Sequence, residues 1–253
     1  MQFTSYGLDL CDLMDSRYSA GGWTQRIGVG VGTDIGPAIA DGVANLRVLP
    51  GGRGKILIPP GTWLMTTSPG DLSGVYLEGM GSMASVIAYN NTVGGALPWR
   101  GSNGFTGGGA RGIGLLLESG LGNTNAYGIL LQGTATYQPD QMEFNDIYMS
   151  AIGGNSYWWD CFHADGSARA HPQGVRVATL NNVQLFNAHN IGFYGANLVQ
   201  WTLNNVGCYT GTGPYGTSVI ITGGSVHVYG QAVNAQLNIT STNDVSINGT
   251  RYS

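Results

Sequence analysis

The stretch from residue 51 to 89, GGRGKILIPPGTWLMTTSPGDLSGVYLEGMGSMASVIAY, restricts the fold more than any other part of the chain. It holds four apolar runs, Ile56-Leu57-Ile58, Trp63-Leu64-Met65, Val75-Tyr76-Leu77 and Val86-Ile87-Ala88, separated by clusters of Gly, Pro, Ser and Asp. An apolar run this short between breakers cannot be a helix and reads as a buried strand. The runs also recur: Ile58 to Leu77 is 19 residues and Met65 to Ala88 is 23. Sandwich strands return after roughly 8–12 residues, whereas an interval near twenty is that of a solenoid coil. The stretch therefore predicts the first turns of an all-β, single-stranded, right-handed parallel β-helix.

Composition supports many short strands and tight turns. Charged residues make up 9% of the chain, against roughly 25% in an ordinary globular domain, and 43 of 253 residues are glycine. The net charge of −4 offers no basic surface, so nucleic acid is not expected as a partner. Three cysteines, Cys11, Cys161 and Cys208, show neither disulfide-framework nor zinc spacing and read as free thiols; no metal and no cofactor are expected. The first residues, Met1-Gln2-Phe3-Thr4-Ser5, lack the basic start and apolar core of a signal peptide. No apolar run approaches the length of a membrane span, so no membrane insertion is expected.

Residues 34–46 form the best helix pattern. Asp34 can cap it, Pro37 is tolerated in the first turn, and Ile35, Ile39, Val43 and Leu46 make one apolar stripe. A solenoid must cover its open end, and this helix is placed to be the lid. Two units follow: residues 1–33 as an attachment or oligomerisation segment with a turn or two of helix around Leu8–Met14, and residues 34–253 as capping helix and β-helix.

The succession G-x-G-T-D-x-x-x-A-I-x-x-x-V from Gly30, K-I-L-I-P-P-G-T-W-L from Lys55 and G-V-Y-L-E-G-M-G-S-x-A-S-V-I from Gly74 resembles the opening of the pectate-lyase-like parallel β-helix superfamily. Within it, the likeness is to bacteriophage tailspike and minor tail proteins, and it covers residues 28–89. The second Asp of the usual T-D-D pattern is replaced by Ile35, which leaves Asp34 as the cap. The resemblance implies a virion tail-tip protein assembled in the host cytoplasm. It implies a homotrimer that contacts other tail proteins and attaches to the host surface, with host polysaccharide as a ligand. The alternative on the same fold is a depolymerase, either a glycoside hydrolase or a polysaccharide lyase.

Beyond residue 89 the chain supplies its own repeat. Phe144-Asn145-Asp146-Ile147, Leu180-Asn181-Asn182-Val183, Leu203-Asn204-Asn205-Val206 and Thr242-Asn243-Asp244-Val245 share one pattern at intervals of 36, 23 and 39 residues. Asn tolerates a bent backbone and bonds its equivalent one coil above, so Asn145, Asn181, Asn204 and Asn243 are expected to form a ladder.

Two segments interrupt the coil rhythm and are where chemistry is expected. Residues 92–112 are Gly-rich and carry Trp99, Arg100, Phe105 and Arg111, without the Lys and Ser/Thr of a phosphate loop. Residues 153–173 crowd Tyr157, Trp158, Trp159, Phe162, His163 and His171 with Asp160, Asp165 and Arg169. Aromatic faces beside carboxylates suit a glycan site, making Tyr157, Trp158, Trp159, His163 and Trp99 the binding candidates. Hydrolysis needs a carboxyl pair about 5–9.5 Å apart, and the candidates are Glu143, Asp146, Asp160 and Asp165, with Asp140 beside them. Packing of the aromatic segment on the solenoid flank is the competing reading, and no set is persuasive as catalytic. Lys55, the one lysine, has no acidic cluster near it in sequence, and the opening stretch is expected to carry fold and no chemistry.

Overall fold

The computed structural model describes residues 6–19, 22–101, 105–153, 155–168 and 174–209, and beyond these the strands at 217–229, 232–233, 237–240, 245–248 and 251–252. Every strand pairing is parallel and joins one coil to the next, so the chain winds as a parallel β-helix with three faces. Face 1 stacks Tyr6–Asp9, Gly54–Ile58, Val75–Gly79, residues 108–111, 142–145, 178–181, 201–204 and 226–229, and Val245–Asn248. Face 2 starts with Gly61–Met65 and Ser85–Tyr89 and continues through 114–117, 147–151, 183–186 and 206–209. Face 3 stacks Val93–Trp99, Asn125–Gln132, Ser156–Asp165, 188–196, 217–222 and Leu237–Thr240. With strands about 4.8 Å apart, the face 1 column is about 40 Å long.

The repeat read from residues 51–89 was short by one or two residues. Ile56, not Ile58, pairs with Leu77, and Met65 pairs with Tyr89, giving intervals of 21 and 24. The runs were aligned by hydrophobicity alone, and the backbone register is set by the turns between them. The segment at 92–112 is likewise more regular than expected. Val93–Trp99 and Gly108–Leu117 are both strands of the solenoid.

Alternation puts one side of each strand into a continuous interior, where Trp63, Trp99, Trp158 and Trp201 are fully buried. Each indole N–H donates to a backbone carbonyl: Pro59, Val75, Ser150 and Val175, at 2.8–3.1 Å. The rings thereby bury their apolar area without stranding a donor.

The N-terminal end is closed by helix Gly36–Arg47, whose stripe of Ile35, Ile39, Val43 and Leu46 is buried. Asp34 Oδ1 accepts from the Gly36 N–H and the Thr66 N–H, while Oδ2 accepts from the Thr66 hydroxyl, tying the lid to the end of the face 2 strand. Residues 6–18, inside the proposed attachment segment, also belong to this end. Tyr6–Asp9 is the first strand of face 1, and helix Leu10–Tyr18 lies on the lid helix. Gly42 permits that contact, since a Cβ there would come within 2.7 Å of Leu13 and 2.9 Å of Ile56. Residues 22–33 are held to the solenoid by Arg26, which pairs with the buried Glu118 through Nε and Nη2.

The corner between faces 1 and 2 repeats one unusual backbone geometry. Gly112, Asp146, Asn182 and Asn205 have φ of 61°, 51°, 52° and 52°, in the left-handed region that glycine and Asn/Asp enter most cheaply. Side chains run up this corner: Asn205 Nδ2 donates to Asn182 Oδ1 at 3.0 Å, Asn182 Nδ2 to Asp146 Oδ1 at 3.2 Å, and Ser82 N–H and Oγ–H to Asp146. A second column lies beside it, with Asn204 Nδ2 donating to Asn181 Oδ1 and Asn181 Nδ2 to Asn145 Oδ1. Asn243 lies outside the described residues. Val245 after it pairs with Val226, and in register the column of Asn145, Asn181 and Asn204 continues through Tyr229 and Asn248 instead.

Asn182→Ala is expected to cost about 2 kcal/mol, from left-handed strain plus lost ladder bonds, and Asn182→Gly about half of that, because glycine relieves the strain. Urea unfolding checks this, and equal losses for the two variants would contradict it.

Candidate functional site

The carboxylates expected to act together are held apart. Glu143 is on face 1, Asp146 on the corner, and Asp160 and Asp165 on face 3. Asp160 and Asp165 share one strand, five residues apart, which is about 16 Å of rise and too far for either hydrolytic geometry. Asp146 is engaged by Ser82 and Asn182 in the ladder. Asp160 is 1% exposed and takes bonds from Asn190 Nδ2, the Ile191 N–H and His163 Nδ1, where the strand bulges against its neighbour. It stabilises the coil-to-coil junction.

The aromatic segment is a strand of the solenoid, Ser156–Asp165, and not an excursion. Its alternation sends Trp158 into the core, stacked on Tyr89 at 5.9 Å, and Trp99 is likewise fully buried against Phe144. Neither can meet a glycan. Tyr157, Trp159, His163 and Asp165 are half-buried on the outer side. There His163 lies between Tyr127 and Tyr194, with ring centroids 4.6 Å away on each side, and Trp159 lies 5.6 Å from His189. Arg169 and His171 lie outside the described residues.

A groove of about 520 Å³ opens instead on the outer side of face 1. Register explains its composition. Lys55, Tyr76, Gly109 and Glu143 occupy one column on successive coils, and Leu57, Glu78, Arg111 and Asn145 occupy the column two residues along. Gly109 is the gap. Its φ of 140° and the 1.8 Å approach a Cβ would make to Glu143 O leave that rung bare. Tyr76 stands beside this gap in the same column, and across it the charge of Glu143 acts on the phenol. Asn145 Nδ2 donates to Glu143 Oε1. Lys55 Nζ pairs with Glu78 Oε2 at 2.7 Å, Arg53 Nη2 donates to Thr106 Oγ1 at 2.7 Å, and Arg111 is exposed at the groove.

The opening stretch, expected to carry fold alone, contributes Arg53, Lys55, Tyr76 and Glu78 to the lining of this groove. The signal was available in the repeat, since an interval of 21 places Lys55 on Tyr76 and Leu57 on Glu78. Arg111 and Glu143 needed the two longer coils that follow.

Burial, then the charge of Glu143, push the Tyr76 phenol well above its ordinary value. It is a neutral donor in the groove. The Cys161 and Cys208 thiols are raised by burial and stay protonated, while Cys11 is half-buried. Among the described residues no group of three or more His, Cys, Asp and Glu side chains gathers as a metal site, and no helix is long and apolar enough to cross a membrane.

With this geometry, solved structures of similar shape can be named. The A-module of mannuronan C-5 epimerase AlgE4 from Azotobacter vinelandii superposes with a TM-score of 0.61 at 14% identity, over 96% of this chain and 58% of that one. The AlgE6 A-module of the same organism gives 0.52 at 16% identity, over 97% and 72%. The catalytic unit of the GH87 α-1,3-glucanase from Streptomyces thermodiastaticus strain HF3-3 gives 0.50 at 13% identity, over 100% and 47%. The chain shares their fold. It spans roughly half the length of the AlgE4 module and the glucanase unit. No family model matches the sequence, and no curated protein matches it.

The Tyr76 shift sets a pH dependence. Unfolded tyrosines ionise near pH 10, so a phenol raised in the fold leaves stability intact below about pH 10 and withdraws it as pH rises toward the folded value. Tyr76→Phe is expected to lose less stability than the parent between roughly pH 9 and 11. Urea midpoints across that range check this, and parallel losses would contradict it.

Proposed function

We propose that this chain is the polysaccharide-engaging β-helix of a phage tail tip, and that it holds an acidic host-surface glycan in the face 1 groove. The observation that carries the reading is the groove itself. Arg53, Lys55 and Arg111 face two carboxylates, Glu78 and Glu143, leaving one surplus positive charge in a chain whose net charge is −4. Cations forked or pointed at an open trough recognise ring carboxylates, and Tyr76 offers a hydroxyl between them. The shared fold with polysaccharide-active proteins supports the ligand class, and the resemblance of residues 28–89 supports the tail. The same reading makes the protein a virion component that assembles as a homotrimer beside other tail proteins. Ile27, Val29 and Val31, exposed at 78%, 51% and 50% around the turn at Gly28–Val31, are apolar surface for such contacts.

Binding to a panel of immobilised polyuronates and neutral glucans tests the groove. The polyuronates are expected to bind in a salt-dependent manner, and the Lys55→Ala/Arg111→Ala double variant is expected to lose about tenfold or more in affinity. Selective binding of neutral glucans, unchanged in the variant, would overturn the reading. Light scattering is expected to give about three times the chain mass of 26.5 kDa; a stable monomer at micromolar concentration would refute the trimer.

A second reading, cleavage by a depolymerase, is favoured by one observation: the Tyr76 phenol and the Glu143 carboxylate line the same groove as Arg53, Lys55 and Arg111. Such a set suits elimination from a uronate whose carboxylate the cations neutralise, with Glu143 taking the ring proton and the neutral Tyr76 phenol giving a proton to the departing oxygen. New unsaturated ends on incubation with polyuronate would support it, and their absence across the panel would sink it.

A further inference from the structure

A second recess, of about 350 Å³, lies beside the groove and is lined by Gln138, Asp140, Arg176, Tyr137 and Thr106. It holds two acceptors without donors. Gln138 is 8% exposed and its Oε1 has no hydrogen-bond partner among the described residues, while Asp140 Oδ1 is buried and equally unpartnered among them. The orientation of the Gln138 amide is fixed, because Nε2 donates to Thr134 O at 2.7 Å. The amide lies against Gly133, where a Cβ would fall 1.6 Å from Oε1. Arg176 is the register partner of Asp140 on the next coil and lines the same recess without reaching Oδ1.

Buried acceptors left without donors are costly, and a native structure keeps them where something else supplies the hydrogen. The guanidinium of Arg176 disfavours a bound cation, which leaves neutral donors. Sugar hydroxyls are such donors, and a ring carboxylate would meet Arg176. The recess is also joined to the groove: Thr106 accepts from Arg53 of the groove and lines the recess, and Gln141 of the groove follows Asp140 in sequence.

Resting on the polyuronate reading of the groove, we propose that the recess is a second sugar subsite continuous with it. There Asp140 and Gln138 accept hydroxyls of the same chain, and Arg176 holds a carboxylate. The connection between faces 3 and 1 at residues 133–139 forms its wall, so this subsite belongs to the lateral loop, whereas the groove belongs to the rungs.

Calorimetric titration with uronate oligosaccharides of increasing length tests this on the full chain. Affinity is expected to rise about tenfold once the oligomer is long enough to leave the groove and enter the recess. Asp140→Ala and, independently, the exposed-site variant Arg176→Ala are expected to abolish that gain while leaving the shortest binding oligomer unchanged. Lys55→Ala weakens all lengths. No gain with length, or a gain that both variants retain, would show the recess to hold water only and would overturn the subsite while leaving the groove intact. A gain lost on adding a chelator would overturn direct hydroxyl contact. Wild-type protein that binds no oligomer of any length would overturn the groove reading and the subsite with it.

Discussion

Coil-to-coil register is the constraint on which this structure depends. Parallel strands pair only if each coil returns its backbone to the same place, whatever length of chain intervenes, and the corners enforce that return. At the edge between faces 1 and 2 the chain turns through one residue in the left-handed region, and Asp146, Asn182 and Asn205 both tolerate that geometry and tie it to the coils on either side. The interior follows from it. Once the corners coincide, apolar side chains stack in columns, and the four buried tryptophans each find a carbonyl for the indole N–H.

The same register builds the groove. Residues 21 to 36 apart in sequence become neighbours about 4.8 Å apart, so Lys55, Tyr76 and Glu143 share a column that nothing in their local sequence announces. The absent side chain at Gly109 is as important as those present, since it opens the trough between Tyr76 and Glu143.

The solenoid, the lid helix and the Asn column at 145, 181 and 204 were legible because each rests on a local pattern: short apolar runs between breakers, a helical stripe behind Asp34, and a repeated tetrapeptide. The site was not. Trp158 and Trp99 were conspicuous by composition, yet strand parity decides whether a residue faces solvent or core, and parity cannot be read until the strand's first inward residue is known. Asp160 likewise looked catalytic beside aromatic rings, and its carboxylate is consumed by Asn190, Ile191 and His163. Lys55 was set aside for lacking acidic neighbours in sequence, and Glu78 reaches it from one coil away.

Coil length adds a last point. From Glu78 through Arg111 and Asn145 to Asn181 the register repeats every 33, 34 and 36 residues, then every 23 and 25 to Asn204 and Tyr229. From Gly112 onward the added residues sit in the connections flanking face 3, and the corner between faces 1 and 2 keeps its single left-handed residue; in the coil before, that corner holds residues 80–84. Two parts of the molecule can therefore diverge at different speeds. Rungs are bound to their neighbours above and below and change only together. The lateral connections are tied to neighbouring coils only at scattered points, such as Gly107 N–H to Asp140 O and Arg176 N–H to Pro139 O, so insertions between those points can remodel the rim of the trough without disturbing its floor.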